Sequence, residues 1–132
     1  LPKDDVRAET VLAPGEVITR VELPPPAAGL KSSYRKVRAR RSWDFALAGV
    51  ALALQMDGDR VEKGRVFLSG AAPVPWRSRR VEEAIQGRRL DAGTIAAAAK
   101  AVVSDADPLP NNGYKLALFQ GVIEEELAAF SA

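Results

Sequence analysis

The stretch F-A-L-A-G-V-A-L-A-L-Q-M (Phe45 to Met56), D-G-D (57–59) and R-V-E-K-G-R-V-F-L-S (Arg60 to Ser69) decides the fold. An Asp-Gly pair between two apolar runs is a strong short-range hairpin signal, because glycine supplies the positive φ that a tight turn needs. In the first run Val50, Leu52 and Leu54 fall on one side, and Leu47, Gly49, Ala51 and Ala53 on the other. Apolar residues on both sides predict a strand that is central in the sheet or covered on both faces. Arg60 to Ser69, with Val66, Phe67 and Leu68, is its return strand.

Toward the N-terminus, Ser32 to Arg41 predicts another strand, with Tyr34, Lys36, Arg38 and Arg40 on one face and Val37 and Ala39 on the other. Earlier still, Glu16 to Leu23 alternates: Val17, Thr19, Val21 and Leu23 oppose Glu16, Ile18, Arg20 and Glu22, a strand pattern in which Ile18 is the apolar exception on the polar side. Pro24, Pro25 and Pro26 end it by removing backbone donors. Residues 1–15 are polar and close on Ala13-Pro14-Gly15, which predicts a lead-in segment from an upstream domain, ahead of a domain over 16–132.

Toward the C-terminus, Gly70 to Arg77 (G-A-A-P-V-P-W-R) is a stiff extended connection with Trp76 and Arg77 at its corner. The apolar period then changes to that of a helix. Ser78 caps a short helix whose Val81, Ala84 and Ile85 face inward and whose end is marked by Gly87. Asp91 or Thr94 opens a second helix through Val103, with Ile95, Ala99, Val102 and Val103 as its stripe. Asn111 or Asn112 starts a third, along which Leu116, Phe119, Ile123, Leu127 and Phe130 recur at helical spacing. Strands first and helices afterwards predict an α+β fold: an antiparallel sheet of three to four strands followed by three helices packed on one face. Gly64, Gly70 and Gly87 are too scattered for a phosphate-cradling βαβ loop.

The length of 132 residues suits one soluble domain. Zero cysteines and zero histidines exclude thiolate and imidazole catalysis, ordinary zinc sites and cysteine-held iron–sulfur clusters within this segment. Binding is therefore the expected role, with no catalytic residue and no metal ligand. Nineteen basic against seventeen acidic residues leave a net charge of only +2, so distribution outweighs the sum. Lys31, Arg35, Lys36, Arg38, Arg40 and Arg41 crowd one stretch, whereas Glu124 to Glu126, pointing in different directions on a helix, read as solvated surface. Nucleic-acid sites pair broad basic surfaces with aromatic platforms, and only Tyr34 and Trp43 lie nearby, so no nucleic-acid partner is expected. No apolar run is long enough to span a membrane, so none is expected as a partner either. A chain starting at Leu1 instead of methionine is expected to be a fragment or a processed piece.

Four stretches, in this order, resemble the C-terminal domain of the FAD-binding medium subunit of molybdenum hydroxylases, the carbon monoxide, xanthine and aldehyde dehydrogenase group. They are L-A-P-G-E-V-I-T-R-V-E-L-P (12–24), Y-R-K-V-R-A-R-R-S-W-D-F-A (34–46), S-G-A-A-P-V-P-W-R (69–77) with V-E-E-A-I-Q-G (81–87), and N-N-G-Y-K-L-A-L (111–118). The last looks closer to the aldehyde and xanthine type. The resemblance implies the same α+β fold and a domain that closes over a flavin held mainly by an upstream FAD-binding domain. It implies Ile18 as an apolar flavin contact and Lys36 as a polar contact near the isoalloxazine. It also implies partner subunits carrying iron–sulfur clusters and molybdopterin, with electrons passing from the clusters through FAD to an acceptor, in a complex that is cytoplasmic or exported with a partner. The alternative is a freestanding interaction or scaffold domain whose basic strand meets an acidic protein.

Overall fold

In the computed structural model, which describes residues 7, 10–41 and 43–131, the hairpin forms where the sequence places it. The strands are β1 (Leu30–Val37), β2 (Ala48–Asp57), β3 (Arg60–Ser69) and β4 (Trp76–Arg77), hydrogen-bonded in that order into one antiparallel sheet. Asp57 faces Arg60 across a two-residue loop that opens on Gly58 at φ +58°. The register slips between Gln55 and Met56, so that Glu62 has no partner and the hairpin end carries a bulge.

Three helices follow: α1 (Arg79–Ile85), α2 (Ala92–Ala101) and α3 (Tyr114–Phe130). α3 packs on β1 and β2, α1 packs on β3, and α2 bridges the other two helices. Asp91 caps α2, its Oδ1 accepting the Thr94 N–H at 2.7 Å. Ser78 holds the cap position of α1 but makes no side-chain cap bond; instead its N–H donates to the Val66 carbonyl at 2.9 Å and ties the helix start to β3. Gly87, at φ +71°, turns the chain back, and its N–H reaches the Val61 carbonyl at 2.7 Å.

The core lies between the sheet and this helix layer. Val50, Leu52 and Leu54 of β2 and Val66 and Leu68 of β3 meet Val81, Ile85, Ala98, Phe119, Ile123 and Leu127. Each fully buried aliphatic side chain here contributes about 1.5–3 kcal/mol. The inward residues match the predicted helical stripes, with Val122 and Ala98 added and with Ala84, Ile95, Leu116, Val103 and Phe130 only half-buried.

Four expectations are corrected. Residues 16–23 form no strand; the sheet's fourth strand is β4, inside the stretch read as a connection. A strand needs a neighbour for its N–H and C=O groups, and no described hydrogen bond offers one to Val17–Leu23. β1 ends at Val37, not Arg41, because the Leu47 N–H donates to the Val37 carbonyl at 2.8 Å and closes residues 38–46 into a loop. β2 begins at Ala48, not Phe45; it is central, between β1 and β3, one of the two readings of its apolar sides, and on the face away from the helices Gly49 is buried while Ala51 and Ala53 remain half-exposed. Residues 1–6, 8 and 9 of the expected lead-in segment, Ser42 and Ala132 lie outside the described residues.

Candidate functional site

Residues directly opposite in an antiparallel pair share a face. The register therefore sets Tyr34, Ala51 and Phe67 in one row across the uncovered face, with Lys36, Gly49 and Ser69 in the next and Ser32, Ala53 and Arg65 on the other side. The result is a shallow trough. Its floor is Gly49, Ala51 and Ala53, and its walls are β1 and β3 side chains, with aromatic rings from Tyr34 and Phe67 facing across the alanines. A Cβ at Gly49 would collide with Ser69 Oγ and crowd the Arg35 carbonyl at 3.2 Å, so glycine is what lets the floor stay flat beside Lys36.

Lys36 is exposed at the end of this trough and has no ion pair or side-chain hydrogen bond among the described residues. Its neighbour Arg35 points through the sheet to the helix side, where its Nη2 meets Glu125 of α3 at 3.1 Å. Arg38, Arg40 and Arg41 lie beyond the strand, so the expected four-residue cationic face reduces to Lys36 beside Tyr34. The loop between Val37 and Leu47 carries its own features. Trp43 has φ +48° and is 97% exposed, Phe45 is 92% exposed, and Arg40 braces the turn by donating its N–H to Asp44 Oδ2 and its Nη2 to the Trp43 carbonyl.

Ile18 lies in the unpaired segment before the sheet and is 70% exposed. It precedes β1, which carries Lys36, and no described hydrogen bond links its backbone to the trough.

Two further features were not anticipated. Phe67 belongs to the open face, which strict alternation with the buried Val66 and Leu68 would have revealed. Glu82 is buried at the sheet edge: Oε1 accepts the Val66 N–H at 3.0 Å and Arg77 Nε at 2.9 Å, while Oε2 accepts Arg77 Nη2 at 2.7 Å. Burial pushes this carboxyl up, but the Arg77 guanidinium, the Val66 N–H and the more distant Arg65 outweigh it and hold it below its ordinary value. The hydrogen bond to Glu82 raises Arg77 in turn. This is a structural corner, at which Arg77 and Glu82 pin the start of α1 to the sheet edge.

Among the described residues, no group of three or more acidic, histidine or cysteine side chains could hold a metal ion, and no helix is long and apolar enough to cross a membrane. The trough offers no nucleophile or general base poised beside a partner. What it offers is a flat apolar floor, two rings and one free ammonium, a surface suited to one side of a planar, electron-rich group.

A family model described as the CO dehydrogenase flavoprotein C-terminal domain matches residues 32–125. The chain is 41% identical to the aldehyde oxidoreductase FAD-binding subunit PaoB of Escherichia coli, in a match covering 91% of this chain and 34% of that protein. It is 35% identical to the glyceraldehyde dehydrogenase medium chain of Sulfolobus acidocaldarius, over 71% of this chain and 33% of that one. Among solved structures, carbon monoxide dehydrogenase from Hydrogenophaga pseudoflava superposes with a TM-score of 0.72 at 27% identity, over 83% of this chain and 40% of that chain. The chain thus spans about a third of the length of these two curated relatives. The Escherichia coli match leaves fewer residues uncovered than precede Glu16, so segment 16–23 lies within it, although outside the family model.

Proposed function

This chain belongs to the CO dehydrogenase flavoprotein C-terminal domain family, and from that premise we propose that it closes over the flavin of a FAD-binding subunit in an oxidoreductase complex of the molybdenum hydroxylase type. The observation that carries this reading is Lys36, an exposed ammonium without a partner at the end of a flat, aromatic-edged trough.

The residues fit the ring end of FAD and not its phosphate end. Nothing here resembles a glycine-rich pyrophosphate cradle, so the diphosphate belongs to another domain, as in the reading in which the flavin is held mainly upstream. When bound, FAD would supply two-electron chemistry, receiving electrons from iron–sulfur clusters on a partner subunit and passing them to an acceptor. Substrate oxidation belongs to a molybdopterin subunit. Lys36 donates a hydrogen bond to the ring edge and sets a positive charge where negative charge develops on reduction. Ile18 packs an apolar side chain against the ring and excludes water.

The test replaces Lys36 in the intact FAD-binding subunit. A charge-assisted hydrogen bond that gains about 1.5–3 kcal/mol on reduction of the ring corresponds to a two-electron potential about 30–60 mV more negative in Lys36→Met, with Lys36→Arg restoring most of it. Flavin content is read by absorbance and the potential by redox titration. A Lys36→Met subunit with unaltered flavin content, potential and reduction rate removes Lys36 from the ring.

A further inference from the structure

Segment 16–23 has the pattern of a strand and none of its pairing. Its apolar side is fully presented to solvent, with Val17 and Val21 close to four-fifths exposed and Leu23 85% exposed. Arg20 Nε meets Glu22 Oε1 at 2.8 Å, a pair two residues apart that forms when side chains repeat every second residue, as in extended chain, and not on a helix. The segment is launched by an ordered turn, in which Pro14 precedes Gly15 at φ +87° and the Glu16 N–H closes on the Ala13 carbonyl at 3.1 Å. Beyond that bond, the backbone N–H and C=O groups of Val17–Leu23 have no protein partner among the described residues.

An extended stretch with one apolar side and a free row of donors and acceptors is what adds to the open edge of a sheet. We propose that Glu16–Leu23 is an add-on strand that pairs with a free sheet edge in the flavin-holding domain, an inference that rests on the function proposed above. The segment lies inside what the chain shares with its Escherichia coli relative and outside the family's own domain, and that relative is about three times the length matched. Its occupant is thus sought in the remainder of such a polypeptide. On pairing, Val17, Thr19, Val21 and Leu23 enter the receiving domain's apolar layer. Ile18, with Arg20 and Glu22, projects from the opposite face, and the lone apolar residue on that side is then held rigidly beside the ring instead of on a loose strand of chain.

The test is residue-resolved amide hydrogen exchange on this chain alone and on the intact FAD-binding subunit, with and without FAD. Edge pairing engages every second N–H, so alternate amides of 17–23 slow on the order of 100-fold in the intact subunit, flavin present or not, and exchange freely in this chain alone. Proline is tolerated in an edge strand only where its missing N–H faces outward. Of Thr19→Pro and Arg20→Pro, one therefore abolishes the protection and the other leaves it, and neither lowers the melting temperature of this chain alone. Equally fast exchange in both proteins overturns the proposal. So does protection that disappears when FAD is removed, which would mean the ligand itself covers the segment, and so does protection that depends on protein concentration, which would mean exchange with a second copy. Protection in an intact subunit that takes up no flavin even when FAD is supplied supports the strand while refuting the flavin reading.

Discussion

Glu82 places a carboxylate where the sheet edge meets α1, and all its acceptor capacity is aimed at Val66 and Arg77. Removing it strands a backbone N–H and a half-buried guanidinium, so Glu82→Ala is expected to lower unfolding stability by about 2–4 kcal/mol in denaturant melts. The folded-state pKa lies below the unfolded one, so the unfolded chain binds more protons in acid. The stabilisation is present in full above the ordinary carboxylate value of 4.5 and drains away as pH falls below it. Glu82→Gln should therefore flatten stability against pH in that acid window while leaving the slope near neutrality unaltered. This pair was invisible beforehand, because a separation of five residues fits neither helical nor strand periodicity and needs β4 to exist. The face on which Lys36 stands was legible for the opposite reason: period two alone separates it from Arg35.

β2 has two faces with two fates, and substitution should tell them apart. Leu54 is fully buried against the helix layer, so Leu54→Ala is expected to remove about 2–5 kcal/mol. Ala51→Leu on the trough floor should leave the stability of this chain within about 0.5 kcal/mol, yet diminish flavin occupancy in the intact subunit by filling the space between Tyr34 and Phe67. The hairpin and the three helices were readable because their signals are local: Asp-Gly, an Asp91 cap, apolar residues every three or four positions. The ends of β1 and β2 were not, since they are set by the bond from Leu47 to Val37, which no local pattern announces. β4 escaped for the same reason, being two residues long and defined only by its pairing with Phe67 and Leu68. Apolar residues on both sides do not by themselves separate a central strand from a doubly covered one, because small residues such as Ala51 and Ala53 also make an open floor.

Taken as one object, the molecule joins a well-cored sheet-and-helix layer to a segment that contributes nothing to that core. Serine at Val17, Val21 and Leu23 together should leave the unfolding stability of this chain unchanged within about 0.5 kcal/mol in denaturant melts, because none of the three side chains is part of its core. The net charge of +2 hides a similar division, because Arg35 is neutralised by Glu125 on the covered side while Lys36 stands free on the open one. Between the two parts runs Pro24-Pro25-Pro26, followed by a turn at Gly29 whose φ of +73° and close approach to the Met56 carbonyl admit no side chain. Three fixed proline φ angles span roughly 9 Å with little give. The tripeptide is thus a ruler and not a tether: with residues 16–23 held by another domain it would set the spacing of the trough, and losing one proline would shorten the rigid span by roughly a third.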